Sequence, residues 1–142
     1  MNSLISHIGI AVKNIEESLE KYRLLTGVEP SDIHSVAEQK VKVAFFASGA
    51  GSDSGSPKIE LVAPDGQDSP VARFIEKKGE GLHHICLLVD DIEKRLEELT
   101  KAGMKLIDES PRIGAEGDLI AFVHPGSTDG VLIELQERKR SG

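Results

Sequence analysis

Residues 5–19, ISHIGIAVKNIEESL, recur later in the chain as residues 82–96, LHHICLLVDDIEKRL. An offset of 77 residues superimposes His7 on His84 and the apolar residues around one histidine on those around the other. A second block follows in the same order, because Ile59-Glu60-Leu61 matches residues 133–135 at an offset of 74. Phe46 also falls on Phe122, at an offset of 76. Ordered blocks that repeat both a polar residue and its apolar neighbours indicate an internal duplication.

Each copy has the pattern of a strand, a helix and three more strands. Asn14 and Asp91 stand where an N-cap is needed, and apolar residues at helical spacing follow both of them. Gly27 and Gly103 are typical helix stops. The predicted helices are 15–25 and 92–102. The predicted strands are 5–12, 33–36, 41–47 and 58–62 in the first copy, and 84–89, 106–108, 119–123 and 131–136 in the second.

The segment between the copies predicts a short linker helix that begins after Ser69-Pro70 and ends near Gly79. Turn-rich stretches at 49–55 and 125–130 separate strands within the copies. We therefore expect a single domain over residues 1–142. Its first module covers about 4–64, its linker helix about 69–79 and its second module about 81–137.

Composition excludes several classes of function. The chain of 142 residues carries a net charge of −7, which argues against nucleic-acid binding. No run of 18 apolar residues predicts a membrane span. The only cysteine, Cys86, cannot form an internal disulfide, and the first residues lack the regions of a signal peptide. We expect a cytoplasmic protein.

Strand alternation brings the repeated polar residues to one face. His7 shares its face with the small Gly9 and Ala11, and Glu60 opposes the apolar Ile59 and Leu61. A carboxylate in the middle of a strand is costly to bury unless it is paired or bound to a metal. The repeat therefore predicts one divalent metal site. Its expected ligands are His7, Glu60, His84 and Glu134.

Single residues of these types have ordinary structural interpretations. A lone strand histidine is more often a hydrogen-bonded core residue, and a lone strand glutamate is more often exposed. The duplication favours metal coordination, because both residue types recur at matching places. His83 points away from His84 and is interpreted as structural, and Cys86 as a small buried residue. Two histidines and two carboxylates suit Co²⁺, Ni²⁺, Mn²⁺ or Zn²⁺, with Mg²⁺ as a further candidate.

Several segments together resemble the methylmalonyl-CoA epimerase family of the vicinal oxygen chelate, or glyoxalase, superfamily. The resemblance covers about residues 4–137 and rests on HIGIAV (7–12), EQKVKVAFF (38–46), IELVAP (59–64), GEGLHHI (79–85), PRIGAEG (111–117), FVHP (122–125) and GVLIEL (130–135). It implies an α+β fold in which two βαβββ modules form one eight-stranded cupped mixed sheet with helices on the convex face. It also implies a homodimer.

The resemblance further implies an isomerase that interconverts (2R)- and (2S)-methylmalonyl-CoA through a metal-stabilised enolate. The metal expected first is Co²⁺, a Lewis acid in this reaction. The implied ligands are His7, His84 and Glu134, with Glu60 where some members have Gln. Glu134 is the implied catalytic base. Some members carry a Glu at the position of Val43, where a valine cannot transfer a proton. The second acid/base is then Glu60, which we rank first, or a metal-bound water, or the mechanism is less symmetric.

Substrate contacts are expected from the loops of the second module. The residues singled out are Arg112, Gly114, Ala115 and His124. A solvated turn is an equal alternative for Arg112, and a surface turn is the structural alternative for His124. A glyoxalase I-type lyase acting on a glutathione hemithioacetal is the alternative enzyme. An extradiol dioxygenase would use a ligand triad and no fourth carboxylate. A metal-free antibiotic-binding module would need more aromatic residues than four Phe and one Tyr.

Overall fold

The computed structural model describes residues 4–48 and 56–139. Its elements are β1 (Ile5–Ala11), α1 (Ile15–Thr26), β2 (His34–Val36), β3 (Val41–Phe46), β4 (Lys58–Pro64), α2 (Pro70–Lys78), β5 (Gly81–Val89), α3 (Ile92–Lys101), β6 (Arg112–Ile113), β7 (Leu119–Val123) and β8 (Ile133–Glu137). The strands form one mixed sheet in the order β2-β3-β4-β1-β5-β8-β7-β6. The predicted α+β fold with an eight-stranded cupped sheet is confirmed. No helix in the described ranges has the length and apolar character to cross a membrane.

The chain divides into two compact units. One consists of His7–His83, and the other joins the first residues of β1 to everything from His84 onward. In the second unit the Leu88 N–H donates to the Leu4 carbonyl at 2.9 Å, which ties the chain start to β5. Our module boundaries and the single-domain assignment stay predictions.

The unit His7–His83 has a core on each side of its strands. On one side, Ile15 of α1 packs with Val12, Phe46 and Leu61. These side chains point away from the face of His7, as the alternation of β1 predicts. Burying an aliphatic side chain of this size contributes about 1.5–3 kcal/mol.

The linker helix packs on the opposite side. Val71 and Ile75 of α2 contact a cluster that contains Ala11, Val43 and Val62. Ala11 shares the face of His7, so α2 covers the His7 face while α1 covers the other. We had expected the helices on one face. The stripe of Val71 and Ile75 fits a helix but does not specify which face of the sheet it will cover.

The helix ends follow the predicted local signals. The Asn14 carboxamide oxygen accepts from the Glu17 N–H at 3.0 Å, and the Asp91 carboxylate accepts from the Lys94 N–H at 3.1 Å. Ser69 Oγ accepts from the Val71 N–H at 3.1 Å, with Pro70 in the first turn of α2. Each cap satisfies a backbone donor that the helix itself leaves unpaired.

One predicted strand is wrong in position. The expected strand 106–108 is reduced to a single bridge between Leu106 and Val123, and the paired strand is Arg112–Ile113. The reason is Asp108, whose carboxylate accepts from the Phe122 N–H at 2.8 Å. A side chain thus takes the place of a backbone partner, and regular pairing begins only at β6. The predicted turn at 49–55 lies outside the described residues.

Candidate metal centre

The first histidine and glutamate meet in the unit His7–His83. His7 lies on β1 and Glu60 on the adjacent parallel strand β4, where Gly9 is the register partner of Glu60. The His7 Nε2 and a Glu60 carboxylate oxygen are 3.5 Å apart. Only 4% of His7 and 5% of Glu60 are exposed to solvent. A buried carboxylate needs such a partner, because it loses its hydration.

The second unit repeats the arrangement with different neighbours. His84 lies on β5 and Glu134 on β8, with Cys86 as the register partner of Glu134. The His84 Nε2 and a Glu134 oxygen are 3.1 Å apart. His84 is 6% exposed and Glu134 is 7% exposed. Cys86 is fully buried, as the sequence predicts.

A phenylalanine edge packs against each histidine. The ring centroids of His7 and Phe45 are 5.6 Å apart, and those of His84 and Phe122 are 6.0 Å apart, both in T-shaped geometry. Phe45 pairs with Glu60 in register just as Phe122 pairs with Glu134. The counterpart of Phe122 is therefore Phe45.

The sequence alignment had matched Phe46 with Phe122, and this match is wrong. Phe46 lies in the opposite cluster, packed with Ile15 and Leu61. A shift of one residue moves a strand side chain to the other face, so two adjacent phenylalanines cannot be told apart by spacing alone.

His7, His84 and Glu134 are buried residues of the types that hold metal ions, and each offers one ligand atom. Two imidazoles and a carboxylate are a donor set typical of borderline divalent cations. Glu60, in contact with His7, offers a further oxygen. The donors present therefore fit a divalent ion.

Comparisons with known proteins agree with this geometry. Residues 6–122 match the sequence profile of the glyoxalase/bleomycin resistance protein/dioxygenase superfamily. A mitochondrial methylmalonyl-CoA epimerase from Dictyostelium discoideum is 38% identical over 94% of this chain and 78% of its own. This chain belongs to the methylmalonyl-CoA epimerase family.

Two other proteins are similar over nearly their whole length. The uncharacterized protein YqjC of Bacillus subtilis is 46% identical over 98% of this chain and 94% of its own. A solved methylmalonyl-CoA epimerase in complex with methylmalonyl-CoA and NH₄⁺ is 33% identical, with a TM-score of 0.87. That comparison covers 96% of this chain and 95% of the solved one.

The position where some epimerase-family members carry a glutamate is apolar here. Val43 lies on β3 opposite Val62 and is buried in the cluster that α2 covers. A valine cannot transfer a proton. Any second acid/base in this family member must therefore come from another residue.

Arg112 lies beside the second histidine–glutamate pair. Its guanidinium carbon is 5.6 Å from the centroid of Phe122, which itself packs against His84. The Arg112 Nε is 3.6 Å from Asp108, too long for a hydrogen bond, and is buried without one among the described residues. The arginine is thus held by its charge and by an aromatic face.

The predicted glycine-rich substrate loop is a tight turn between β6 and β7. The Gly114 N–H donates to the Asp118 carbonyl at 2.9 Å, and the Gly117 N–H donates to the Gly114 carbonyl at 3.0 Å. A Cβ on Gly114 would lie 2.8 Å from the Ile120 side chain, so the position needs glycine. Ala115 is exposed on this turn.

Sequence reasoning missed the residue that holds this turn. Gln136 of β8 is buried and donates through its amide nitrogen to Asp118 at 2.7 Å and to Glu116 at 3.2 Å. Its carbonyl oxygen accepts from Ser6 Oγ at 2.6 Å. The only sequence signal was its place on the Glu134 face, two residues further along the strand.

The two other histidines of interest make structural contacts. His124 is exposed, and its Nδ1 accepts from the Gly126 N–H at 2.9 Å, which caps a short turn. His83 packs edge-on against Phe74 of α2, with centroids 4.7 Å apart. The substrate role of His124 stays a prediction.

Proposed function

We propose that the protein interconverts (2R)- and (2S)-methylmalonyl-CoA. The observation that carries the proposal is the buried histidine–glutamate pair of each unit, because two imidazoles and two carboxylates are donors that fit a divalent cation. Membership in an epimerase family supports the choice of reaction. The relatives do not favour the glyoxalase I alternative, since those with an assigned activity are named as epimerases.

The residues that would hold the metal are His7, His84, Glu134 and Glu60. A divalent ion held by these residues would supply Lewis-acid stabilisation of the negative charge that develops when the C2 proton leaves. We propose Co²⁺ as the ion to test first, followed by Ni²⁺, Mn²⁺, Zn²⁺ and Mg²⁺.

We propose Glu134 as the base that takes the C2 proton. Its carboxylate is 7% exposed, so little water competes for the proton. One Glu134 carboxylate oxygen lies 3.1 Å from the His84 Nε2, and this contact fixes the orientation of the carboxylate. The C2–H bond breaks as the new O–H bond forms, and the electron pair stays on the substrate as an enolate.

Inversion requires a proton on the opposite side of C2, and we propose Glu60 for this step. Glu60 is the other buried carboxylate paired with a histidine, and it occupies the matching place in the first unit. Val43 offers no alternative on β3. A protonated Glu60 gives its proton to C2, and the reverse reaction exchanges the roles of the two carboxylates.

Assembly and location complete the proposal. We propose a homodimer, from the family resemblance, and a cytoplasmic location, which agrees with a chain whose single cysteine cannot form an internal disulfide. The expected single domain belongs to the same proposal.

The deciding experiment is the incorporation of solvent deuterium at C2 of methylmalonyl-CoA, followed by NMR or mass spectrometry. We expect fast incorporation by the Co²⁺-loaded protein and loss of at least 10²-fold after chelation, because an unassisted enolate lacks charge stabilisation. Restoring the ion should restore the rate. A loaded protein that leaves C2 protonated contradicts the epimerase assignment, and conversion of a glutathione hemithioacetal would point to the lyase instead.

A further inference from the structure

A lysine occupies the face of the first histidine–glutamate pair. Lys58 is the register partner of His7 on the neighbouring strand β4, and it precedes Glu60 by two residues. Its Nζ lies 5.2 Å from the centroid of Phe45, and Phe45 packs edge-to-face with His7. The positive charge, the ring and the imidazole therefore lie in an unbroken row of contacts on this face.

The second unit contains a similar row of contacts, but its cation comes from a different strand. Arg112 of β6 lies over Phe122, and Phe122 packs against His84. The histidines and phenylalanines correspond by duplication, but the cations do not. The position that matches Lys58 at the offset of the glutamates is Leu132. Each half has thus acquired a cation over its phenylalanine separately, which favours a shared chemical role over simple inheritance.

We infer that Lys58 binds an anionic group of the acyl-CoA substrate. This inference rests on the proposed function. The substrate offers a carboxylate at C2 and phosphates on its CoA part, and both are anions that an ammonium group can hold by charge-assisted hydrogen bonds. The chain has a net charge of −7 and places Glu60 on the same face, so an approaching anion needs a local cation.

The aromatic ring makes this position suitable for the task. An ammonium group within about 6 Å of a ring centroid is attracted by the ring, which helps to keep the charge on the face of His7. Lys58 is half-buried, so its charge is less screened than that of a fully exposed lysine.

The test compares Lys58→Met with Lys42→Met. Lys42 is also half-buried and lies on the adjacent strand β3. It shares a strand face with Ala44 and Phe46, which belong to the cluster on the α1 side. We expect KM for methylmalonyl-CoA to rise about tenfold or more in Lys58→Met, because methionine cannot form a charge-assisted hydrogen bond with the anion. Lys42→Met should keep the wild-type KM, and Lys58→Arg should restore most of the affinity. Circular dichroism checks that all variants fold.

A truncated substrate distinguishes the two anions. Methylmalonyl-pantetheine keeps the carboxylate and thioester but lacks the CoA phosphates. If Lys58 holds the carboxylate, Lys58→Met will weaken both substrates equally; if it holds a phosphate, the effect will vanish with the truncated thioester. Either result supports anion binding and names its source.

Two outcomes overturn the inference. One is an equal KM for the Lys58→Met and Lys42→Met variants with the full substrate, and the other is an arginine variant as weak as the methionine variant. Failure of the proposed function is seen separately, because the wild-type protein would then exchange no deuterium. In that case calorimetric titration of each variant with methylmalonyl-CoA still measures the contribution of Lys58 to binding.

Discussion

At the scale of single residues, the two histidine–glutamate pairs are alike in burial but differ in contact. His84 and Glu134 are 3.1 Å apart, whereas His7 and Glu60 are 3.5 Å apart. His84, Glu134 and His7 each offer a ligand atom for an ion, and Glu60 contacts His7. This difference is the basis for giving the two glutamates separate tasks.

The first prediction concerns Glu134→Gln. The amide keeps the size of the side chain and can still bind an ion through its oxygen, but it cannot take a proton at neutral pH. We expect a folded protein in which the epimer whose C2 proton faces Glu134 exchanges with deuterium about 10²–10⁴-fold more slowly, the usual contribution of a positioned general base. The exposed Glu38→Gln is the control. Near-normal exchange in Glu134→Gln would refute the base assignment.

The second prediction separates exchange from inversion in Glu60→Gln. If Glu134 alone is the base for one epimer, that epimer should still exchange its C2 proton with solvent and return to the same configuration. Conversion to the other epimer should fall at least 10²-fold, because no acid remains to deliver a proton on the opposite side. Chiral analysis of the labelled thioester measures both rates together. Parallel losses of exchange and inversion would instead show that Glu60 acts mainly as a ligand.

How far the sequence predicts the site is clearest from the residues beside the metal ligands. The four candidate ligands were found because each repeats with its apolar neighbours. Phe45 and Lys58 were not, because a face in a strand depends on register, and one residue of slippage exchanges the two faces. Gln136 was missed since its partners, Asp118 and Ser6, are distant in sequence and meet it only in the folded chain.

At the scale of elements, local signals were enough where an element carries its own start and stop. Asn14, Asp91 and Ser69 cap their helices through bonds to residues two or three positions away, so the sequence predicts these helix starts correctly. The strand at 106–108 was wrong because Asp108 binds the backbone of Phe122, a long-range contact. The sequence pattern also did not predict which face of the sheet α2 covers.

The third prediction concerns the anchoring of the turn 114–118 by β8. Gln136→Leu removes the donors to Asp118 and Glu116, and leaves two carboxylates near an apolar side chain. We expect the Gly114 and Gly117 amide hydrogens to exchange with solvent about tenfold faster, since each lost bond contributes about 0.5–1.5 kcal/mol. The control is Gln67→Leu, which changes an exposed glutamine that is distant in sequence from Gln136. Unchanged amide protection in Gln136→Leu would mean that the turn holds itself.

At the scale of the whole molecule, a metal ion contributes to stability as well as to chemistry. Four buried ionisable side chains would converge on one ion, and an ion that binds only the folded state shifts the folding equilibrium in its favour. The ion and the fold therefore support each other, and the metal content of a preparation will affect its apparent stability.

The fourth prediction is a metal-dependent melting temperature. At about 100 times the dissociation constant, a bound ion adds about 2.7 kcal/mol, which corresponds to a rise in Tm of roughly 4–10 °C in a chain of this length. Calorimetry of the chelated and Co²⁺-loaded protein measures the shift. The shift in Tm should disappear in His84→Ala. It should persist in His34→Ala, which changes an exposed histidine. A shift of equal size in both variants would place the ion elsewhere.

The start of β1 also bears on how such a protein came to exist. Residues 4–6 belong to the compact unit of the second half, through Leu4 with Leu88 and Ser6 with Gln136. A gene that has doubled in this way cannot easily return to a single copy, because the first repeat supplies part of the structure of the second. Each later substitution that strengthens the contacts of residues 4–6 with the second unit makes that unit depend more on the first copy. The loss of one copy therefore becomes progressively less favourable during evolution.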